Sequence, residues 1–207
     1  ACAPYRRLHL CIKNMVKMET TKITDSSKAK NDLLLDVCMA AYYEGDSIKT
    51  HYPPYQNKYV DVGSTMCTML ARSFADIGDI VRGKDMFLGS NKEKEKRKQL
   101  EEKLQSFFKN IHDKLDPEAK NYYGEDGPNY YKLREDWWNA NRQQVWEAIT
   151  CDDDKKLASA SYFRETCSDE QGGAQDNNKC RCKTNDVPTY FDYVPQYLRW
   201  FEEWAEK

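Results

Sequence analysis

Eight cysteines are the side chains of this chain best suited to chemistry, because a thiol can oxidise to a disulfide, bind zinc or act as a nucleophile. They form an N-terminal and a C-terminal group of four: Cys2, Cys11, Cys38 and Cys67, then Cys151, Cys167, Cys180 and Cys182. An even set in 207 residues predicts a disulfide framework and an oxidising compartment. We expect bridges within each group of four, with one cysteine of the second group available to pair beyond this chain.

Zinc binding and catalysis are the alternatives to a disulfide framework. Structural zinc sites usually take cysteines separated by two to four residues, whereas one residue separates Cys180 from Cys182, and the three histidines are scattered. The chain has no Gly-x-Ser-x-Gly, P-loop or His-Glu-x-x-His motif, and no feature marks one thiol as a nucleophile. We therefore predict structural disulfides, no cofactor and no enzymatic activity.

A run of basic residues, KEKEKRK, is the second group able to bind a ligand. It places five cations at the start of a predicted helix as candidates for a sulfated or sialylated glycan: Lys92, Lys94, Lys96, Arg97 and Lys98. The alternative is a solvated helix face with i,i+4 ion pairs such as Glu93 with Arg97. Because positive charge opposes the dipole at a helix N-terminus, the pattern also predicts a frayed, exposed end. Smaller basic candidates are Arg6 with Arg7, Lys155 with Lys156, and Arg181 with Lys183.

Composition narrows the class of protein. The net charge of −2, from 32 basic and 34 acidic residues, argues against a nucleic-acid binder. An aromatic fraction of 13% predicts a folded core, since disordered chains are poor in aromatics. No apolar run approaches the roughly 20 residues that span a bilayer, and the first residues do not read as a signal peptide. We expect any export signal or membrane anchor to lie outside this sequence.

Helical periodicity predicts the elements that position these residues, and no segment alternates as a strand would. A first helix, capped by Asn31, is expected to end at Gly45, with a loop over 51–63. A second runs from Ser64 to Gly83. The third carries the basic run and then an apolar stripe, and Pro117 ends it before a loop over 117–129. That stripe contains Leu100, Leu104, Phe107, Phe108, Ile111 and Leu115.

A fourth helix is predicted over 130–149, a cysteine-pinned loop over 151–186, and a last helix from Pro195. Core candidates in the fourth helix are Leu133, Trp137, Ala140, Ala148 and Ile149. In the last helix Tyr197, Leu198, Phe201 and Trp204 fit helical spacing, and Trp200 and Trp204 are expected in the core. Gly78 inside the second helix predicts the close approach of a neighbouring helix. Trp137 and Trp138 point about 100° apart, so one of them is expected either to be a contact residue or to pack under the cysteine-rich loop. The predicted class is all-α, a disulfide-stapled helical bundle.

Five sequence blocks lie in order along the chain: ACAPYRRLHLC, LLLDVCMAAYYEG, CTMLARSFADIGDIVRGKDMFLG, REDWWNANRQQVWEAITC and DVPTYFDYVPQYLRWFEEWAEK. Together they resemble the Duffy-binding-like domain of malaria-parasite adhesins. More narrowly, they resemble the alpha-type domain at the head of the Plasmodium falciparum erythrocyte membrane protein 1 family. The four C-terminal cysteines resemble the four-cysteine subset of these domains.

The resemblance implies a Duffy-binding-like fold reduced to two subdomains. Residues 1–83 would form the first subdomain and the start of the helical core, and residues 84–207 the second. A third subdomain would follow Lys207. The implied function is adhesion to host receptors by a variant antigen, with rosetting in some members, on the extracellular face of the infected erythrocyte membrane. A distant segment would anchor the protein there.

The resemblance also implies partners. They are a host cell-surface receptor or a sulfated or blood-group glycan, a neighbouring cysteine-rich interdomain region of the same chain, and antibodies, but no nucleic acid. The family's binding residues do not carry over, because the matching blocks are framework. The alternative is a non-binding structural head domain that orients a neighbouring receptor-binding domain and displays variable epitopes.

Overall fold

The structure, a computed structural model, describes residues 2–18, 29–59, 65–151, 157, 180–182 and 186–206, without the side chains of 54–59. Its helices are α1 (Tyr5–Leu8), α2 (Lys13–Val16), α3 (Ala29–Tyr59), α4 (Met66–Arg82), α5 (Asn91–Asp113), α6 (Pro117–Tyr122), α7 (Tyr131–Ile149) and α8 (Gln196–Ala205), with a 3₁₀ turn at Phe191–Tyr193. No β-strand forms in these ranges, and the all-α prediction is confirmed. None of the described helices is both long and apolar enough to cross a bilayer.

Helix α4 is the centre of the fold and contacts α1, α3, α7, α8 and the 3₁₀ turn. Thr65 caps its start by accepting a hydrogen bond from the Thr68 amide, and Gly83 ends it in the left-handed conformation at φ 73°. Nearly every side chain between these caps is buried, the charged ones included. Because an unpaired buried charge is costly, each charged residue of α4 must find partners on the surrounding elements.

Asp76 is the charged residue of α4 that pairs with both α1 and α8. Its carboxylate lies 2.8 Å from the guanidinium groups of both Arg6, in α1, and Arg199, in α8. Burial alone would raise the pKa of Asp76, but the two guanidinium groups outweigh it, and the pKa lies below its ordinary value. Gln196 also donates to Asp76, at 3.1 Å. The two ends of the described chain are thereby fixed to one buried carboxylate.

A second set of ion pairs joins α4 to α7 and the 3₁₀ turn. The Arg82 guanidinium donates to Asp79 at 2.9 Å and to the Asp192 carbonyl at 2.5 Å. Arg142 binds both carboxylate oxygens of Asp192 at 2.8 Å, and the Trp138 indole donates to the same carboxylate. These bonds hold the turn at Phe191–Tyr193 against the core.

Helix α8 turns its polar face inward. Gln196, Arg199, Trp200 and Glu203 are buried, because α4 offers carboxylates and Arg6 pairs with Glu203 at 2.9 Å. The residues that fit helical spacing are the exposed ones, at 47%, 45%, 69% and 46% for Tyr197, Leu198, Phe201 and Trp204. Trp200 is buried as expected, but the core position expected for Trp204 is wrong, because helical periodicity identifies an apolar face but not the chemistry of the surface that the helix meets.

Helix α3 does not end at Gly45 as predicted but continues to Tyr59, through the expected loop and both of its prolines. A Cβ at Gly45 would lie 2.0 Å from the carbonyl oxygen of Ile149 in α7. Glycine is therefore required here by the close approach of two helices rather than by a helix end. Buried Ile48 and Tyr52 add apolar contacts beyond that point.

Gly78 meets its expectation, since a Cβ there would lie 2.7 Å from the Trp138 ring. Both neighbouring tryptophans are buried, Trp137 at 4% and Trp138 at 0% exposure, so neither is an exposed contact residue, and burial leaves the alternative of packing under the cysteine-rich loop open. The stripe of α5 is buried from Leu100 to Ile111, as predicted, with Leu115 half-buried. Ala140 of α7 is exposed.

Other boundaries differ by local capping. Helix α3 already begins at Ala29, ahead of the predicted cap Asn31. The loop expected over 117–129 begins with α6, because the Asp116 carboxylate accepts from the Ala119 amide and Pro117 occupies the first helical position. Most of the predicted cysteine-pinned loop over 151–186 lies outside the described residues.

One disulfide crosses the two cysteine groups. Cys67, at the start of α4, is bonded to Cys180 with a sequence separation of 113. The prediction that bridges stay within each group is therefore wrong, because spacing along the chain does not report which segments meet in space. Cys182 is also disulfide-bonded. Cys2, Cys11 and Cys38 are free thiols in the structure, so the structure does not place them in the predicted bridges. Cys167 lies outside the described residues.

We predict that Gly45→Ala destabilises the protein by about 2 kcal/mol, because the new Cβ overlaps a backbone atom that cannot rotate away. The higher intrinsic helix propensity of alanine over glycine alone predicts the opposite effect, a gain in stability of roughly 0.5–1 kcal/mol. Denaturant unfolding distinguishes the two. Asp46→Ala, at an exposed neighbour on α3, is the control and should change the free energy of unfolding by less than about 0.5 kcal/mol. A stabilising Gly45→Ala would contradict the close contact with α7.

We predict that Asp76→Asn costs about 3–5 kcal/mol, because it removes one partner from two buried arginines. Since the pKa of Asp76 is depressed, its contribution is complete at neutral pH and is lost as the pH falls through the folded-state pKa. The variant should therefore lose less stability on acidification than the parent. Asp113→Asn, at a side chain 56% exposed, is the control for chemical unfolding at several pH values. If Asp76→Asn and Asp113→Asn had the same stability, the stabilising role assigned to the Asp76 ion pairs would be contradicted.

Candidate ligand-binding surface

The basic run begins helix α5, whose start is capped by Ser90 and Glu93. Ser90 accepts a hydrogen bond from the Glu93 amide, and the Glu93 carboxylate accepts one from the Ser90 amide at 2.6 Å. This capping box satisfies two amides that a helix start otherwise leaves without partners. The capping box therefore opposes the predicted fraying. The bond to the Ser90 amide, ahead of that to its side chain, lowers the pKa of Glu93.

Arg97 differs from the lysines beside it, because it is bound to the protein. Its guanidinium donates to the Asp85 carbonyl at 2.8 Å and lies 3.2 Å from the Asp85 carboxylate. Arg7 pairs with the same carboxylate at 2.6 Å. The guanidinium carbons of Arg7 and Arg97 lie 4.6 and 6.0 Å from the centroid of the Phe87 ring. The predicted alternative of a Glu93–Arg97 pair is thus replaced by contacts to the segment that precedes the helix.

Helix α2 lies against α5 and adds two lysines to its surface. Lys103 of α5 donates to the carbonyl of Val16 at 2.6 Å, and Asn14 donates to the Asp36 carbonyl in α3 at 2.7 Å. Fixed by these bonds, α2 exposes Lys13 at its start and Lys17 just after its end. No sequence pattern groups these residues with the basic run, because about eighty residues separate them along the chain.

Two grooves open where these elements meet. The outer groove, of about 330 Å³, lies between the N-terminal segment, Phe87 and α5. The inner groove, of about 380 Å³, lies between α5, the end of α4 and Tyr131. Arg7, Ile12, Arg97 and Leu100 line both grooves, so these residues form the partition between them.

The predicted cations divide between the two grooves. Lys96 and Arg97 line the outer groove, and Lys94, Arg97 and Lys98 line the inner one. Lys92 is exposed and lines neither of them. The residues that the sequence did not identify for this surface are Lys13 and Lys17, which line the outer groove. A count of charge by three-dimensional neighbourhood rather than by sequence window would have found them.

The smaller basic candidates that can be placed have structural roles. Arg6 forms an ion pair with Asp76, and Arg7 forms one with Asp85. Arg181 donates to the Thr150 hydroxyl at 3.0 Å and to the carbonyl of Glu147 at 2.9 Å. Lys155, Lys156 and Lys183 lie outside the described residues.

The thiols of Cys11 and Cys38 show no activation for nucleophilic chemistry. Burial, and to a smaller extent Glu44, raises the pKa of Cys11 to about 11; burial, followed by Glu147, does the same for Cys38. A reactive cysteine requires the opposite shift. Within the part of the chain that the structure describes, no group of three His, Cys, Asp or Glu side chains is arranged to hold a metal ion.

Comparison with known proteins gives a consistent result. The sequence model of the Duffy binding domain matches residues 1–199, and no curated protein sequence matches the chain. The solved NTS-DBL1α1 domain of Plasmodium falciparum membrane protein 1 (PfEMP1), varO strain, is 40% identical with a TM-score of 0.73, covering 99% of this chain and 43% of that one. The NTS-DBL1α–CIDRγ double domain of the same strain is 42% identical with a TM-score of 0.76, covering 99% and 28%.

A PfEMP1 DBLβ domain bound to human ICAM-1 is 29% identical with a TM-score of 0.69, covering 97% of this chain and 39% of that one. Identity is thus higher to the alpha-type domains than to this DBLβ domain. The chain spans less than half the length of each of these three solved structures.

We predict that Ser90→Ala loosens the basic start of α5, because it removes a cap worth about 1 kcal/mol. Amides of residues 91–95 should exchange with solvent about five times faster, measured by hydrogen exchange and NMR. Ser106→Ala, in the middle of the same helix, is the control and should leave those amides unchanged. Unchanged exchange in Ser90→Ala would show that the capping box does not hold this end of the helix.

Proposed function

The chain belongs to the Duffy binding domain family, as its sequence blocks predicted, and from that premise we propose that it is a host-receptor adhesion module of a variant surface antigen. It would act on the extracellular face of the infected erythrocyte membrane, in cytoadhesion or rosetting, by binding an acidic cell-surface receptor. Support for adhesion comes from the relative that is bound to human ICAM-1. No enzymatic activity forms part of the proposal.

The observation that carries the proposal is the convergence of exposed lysines from two distant segments. Lys13 and Lys17, at the two ends of α2, line the outer groove together with Lys96 of α5, and Lys94 and Lys98 of α5 line the adjacent inner groove. None of the five forms an ion pair with a described residue, so their charge is available to a ligand. Like charges held together without partners carry an electrostatic cost, and an acidic ligand would remove it.

A structural head domain is the second candidate, and a different observation favours it. Arg6 pairs with Glu203, and the Trp204 indole donates to the Cys2 carbonyl at 2.9 Å. The first and last described segments are therefore held side by side. Such an arrangement would fix the orientation of a neighbouring domain, for example a cysteine-rich interdomain region like the one in the solved double domain. Its loops would then serve as epitopes for antibodies.

We predict that Lys94→Glu/Lys96→Glu/Lys98→Glu lowers receptor affinity at least tenfold, because it reverses three charges at the grooves. Arg97 is left intact because it supports Phe87 and Asp85. The measurement is binding to immobilised host receptor ectodomains, sulfated glycans and blood-group sugars at several salt concentrations. Affinity of the parent should fall as salt rises, and the variant should lose this dependence.

The control is Lys30→Glu/Lys109→Glu/Lys114→Glu, which makes the same change in net charge at exposed positions outside both grooves. If the two triple variants bind the ligand of the parent protein with equal affinity, the surface around the two grooves is not the binding site. If no ligand on the panel binds the parent, while a neighbouring domain binds the receptor equally well with and without this chain, the structural head is the better description.

A further inference from the structure

We propose that the outer groove recognises an acidic peptide segment of a protein receptor by enclosing one apolar side chain between lysines that pair with flanking carboxylates. The inference rests on the proposed adhesive function and deepens it, since it names the ligand chemistry of one of the two grooves. Sulfated glycan is the competing ligand, and the experiment below distinguishes the two.

The floor of the outer groove is apolar and comes from three separate segments: Leu8, Leu10, Ile12, Val16, Phe87 and Leu100. Leu8 is 44% exposed and stands at the mouth, while Leu10, Phe87 and Leu100 are exposed by 8%, 8% and 3%. Water against such a surface is unfavourable, so an apolar group that displaces it gains free energy in proportion to the area covered. A volume of about 330 Å³ lies at the small end of ligand pockets and suits a single side chain with its backbone.

The rim of the same groove is basic. Lys13, Lys17 and Lys96 are exposed cations, and the carboxylate on the rim, Glu93, is already held by the Ser90 amide. Arg7 and Arg97 share the Asp85 carboxylate behind the floor. The groove therefore offers an apolar centre with positive charge on both sides, one side from α2 and the other from α5. A peptide with a hydrophobic residue between acidic residues is complementary to that pattern.

The aromatic residue of the groove is not placed to bind a sugar. Carbohydrate rings commonly stack on an open aromatic face, but Phe87 is only 8% exposed, and the Arg7 guanidinium lies 4.6 Å from its ring centroid. A sulfated glycan could use the lysines, yet it carries no aliphatic side chain to fill the floor. The floor thus favours a peptide, whereas the rim alone would serve either ligand.

The groove is also held in a fixed shape before any ligand arrives. Lys103 ties the end of α2 to α5, and the Arg7–Asp85 pair ties the N-terminal segment to the residues before α5. Gln196 donates to Asp85 at 2.8 Å and so connects this pair to the buried network of α4. Because a preformed site pays less ordering entropy on binding, a short peptide is sufficient to detect it.

The test uses three fluorescein-labelled probes: a peptide of alternating aspartate and glutamate with one central leucine, the same peptide with serine in place of leucine, and a heparin octasaccharide. Fluorescence polarisation is measured at low and physiological salt. We expect the leucine peptide to bind at least about tenfold more tightly than the serine peptide, the difference that burial of one leucine side chain supplies. Both peptides should weaken as salt rises. Equal affinity of the two peptides would overturn the proposal without any variant.

Two variants locate the binding. Leu8→Gln/Val16→Thr makes the floor polar at one exposed and one half-buried position, and it should abolish the preference for leucine while leaving octasaccharide binding unchanged. Lys13→Glu/Lys17→Glu should weaken both peptides at least tenfold, whereas Lys109→Glu/Lys114→Glu should not. Thermal unfolding confirms that each variant is folded. A leucine preference that survives the floor variant would place the peptide elsewhere and overturn the assignment.

Failure of this proposal is distinguishable from failure of the proposed function. If receptor binding depends on Lys94, Lys96 and Lys98 but not on Leu8 and Val16, the surface is an electrostatic adhesion site and the groove is not a peptide pocket. If the leucine peptide binds as expected but no host receptor does, the groove recognises acidic peptides and the adhesive function is wrong.

Discussion

The buried carboxylate of Asp76 is the constraint on which the arrangement of this domain depends. It joins α4 to the first and the last described helices through Arg6 and Arg199. Gln196 extends the connection, since its amide nitrogen donates to both Asp76 and Asp85. Asp85 in turn holds the arginines that border the two grooves. Buried ion pairs gain little net stability over apolar contacts, but they tolerate few alternative geometries. The network therefore fixes the relative positions of these helices more than it adds stability. The same network positions the candidate binding surface.

The same constraint explains why α8 appears inverted. An amphipathic helix normally buries its apolar stripe, but the surface offered by α4 carries carboxylates, so Arg199 is drawn inward. Leaving that guanidinium without partners would cost more than exposing Phe201 and its neighbours. The outcome is an exposed aromatic face beside the N-terminal segment, while the candidate binding surface lies around α2 and α5.

Framework residues and the candidate cationic contacts lie in different parts of the chain. Residues of the family's blocks form the buried ion-pair network and supply Cys67 of the Cys67–Cys180 bridge, which closes a loop long enough to contribute about 5 kcal/mol in the chain-entropy view. The exposed lysines of α2 and α5 make few contacts with the protein. Such residues can be exchanged with little effect on folding, which suits a surface that varies between antigens.

Sequence alone determined the family, the all-α class and the two helices with the plainest local signals, α4 and α5. A glycine in the left-handed conformation and an apolar stripe are local properties, and they predict the end of α4 at Gly83 and the buried face of α5. The basic run was also visible, because its charges are consecutive. The tertiary structure decided what depends on contact across long separations: the passage of α3 through Gly45, the polar face of α8, the partner of Cys67 and the meeting of Lys17 with Lys96 at one groove. Each depends on the chemistry of a surface contributed by another segment, and no local pattern carries that information.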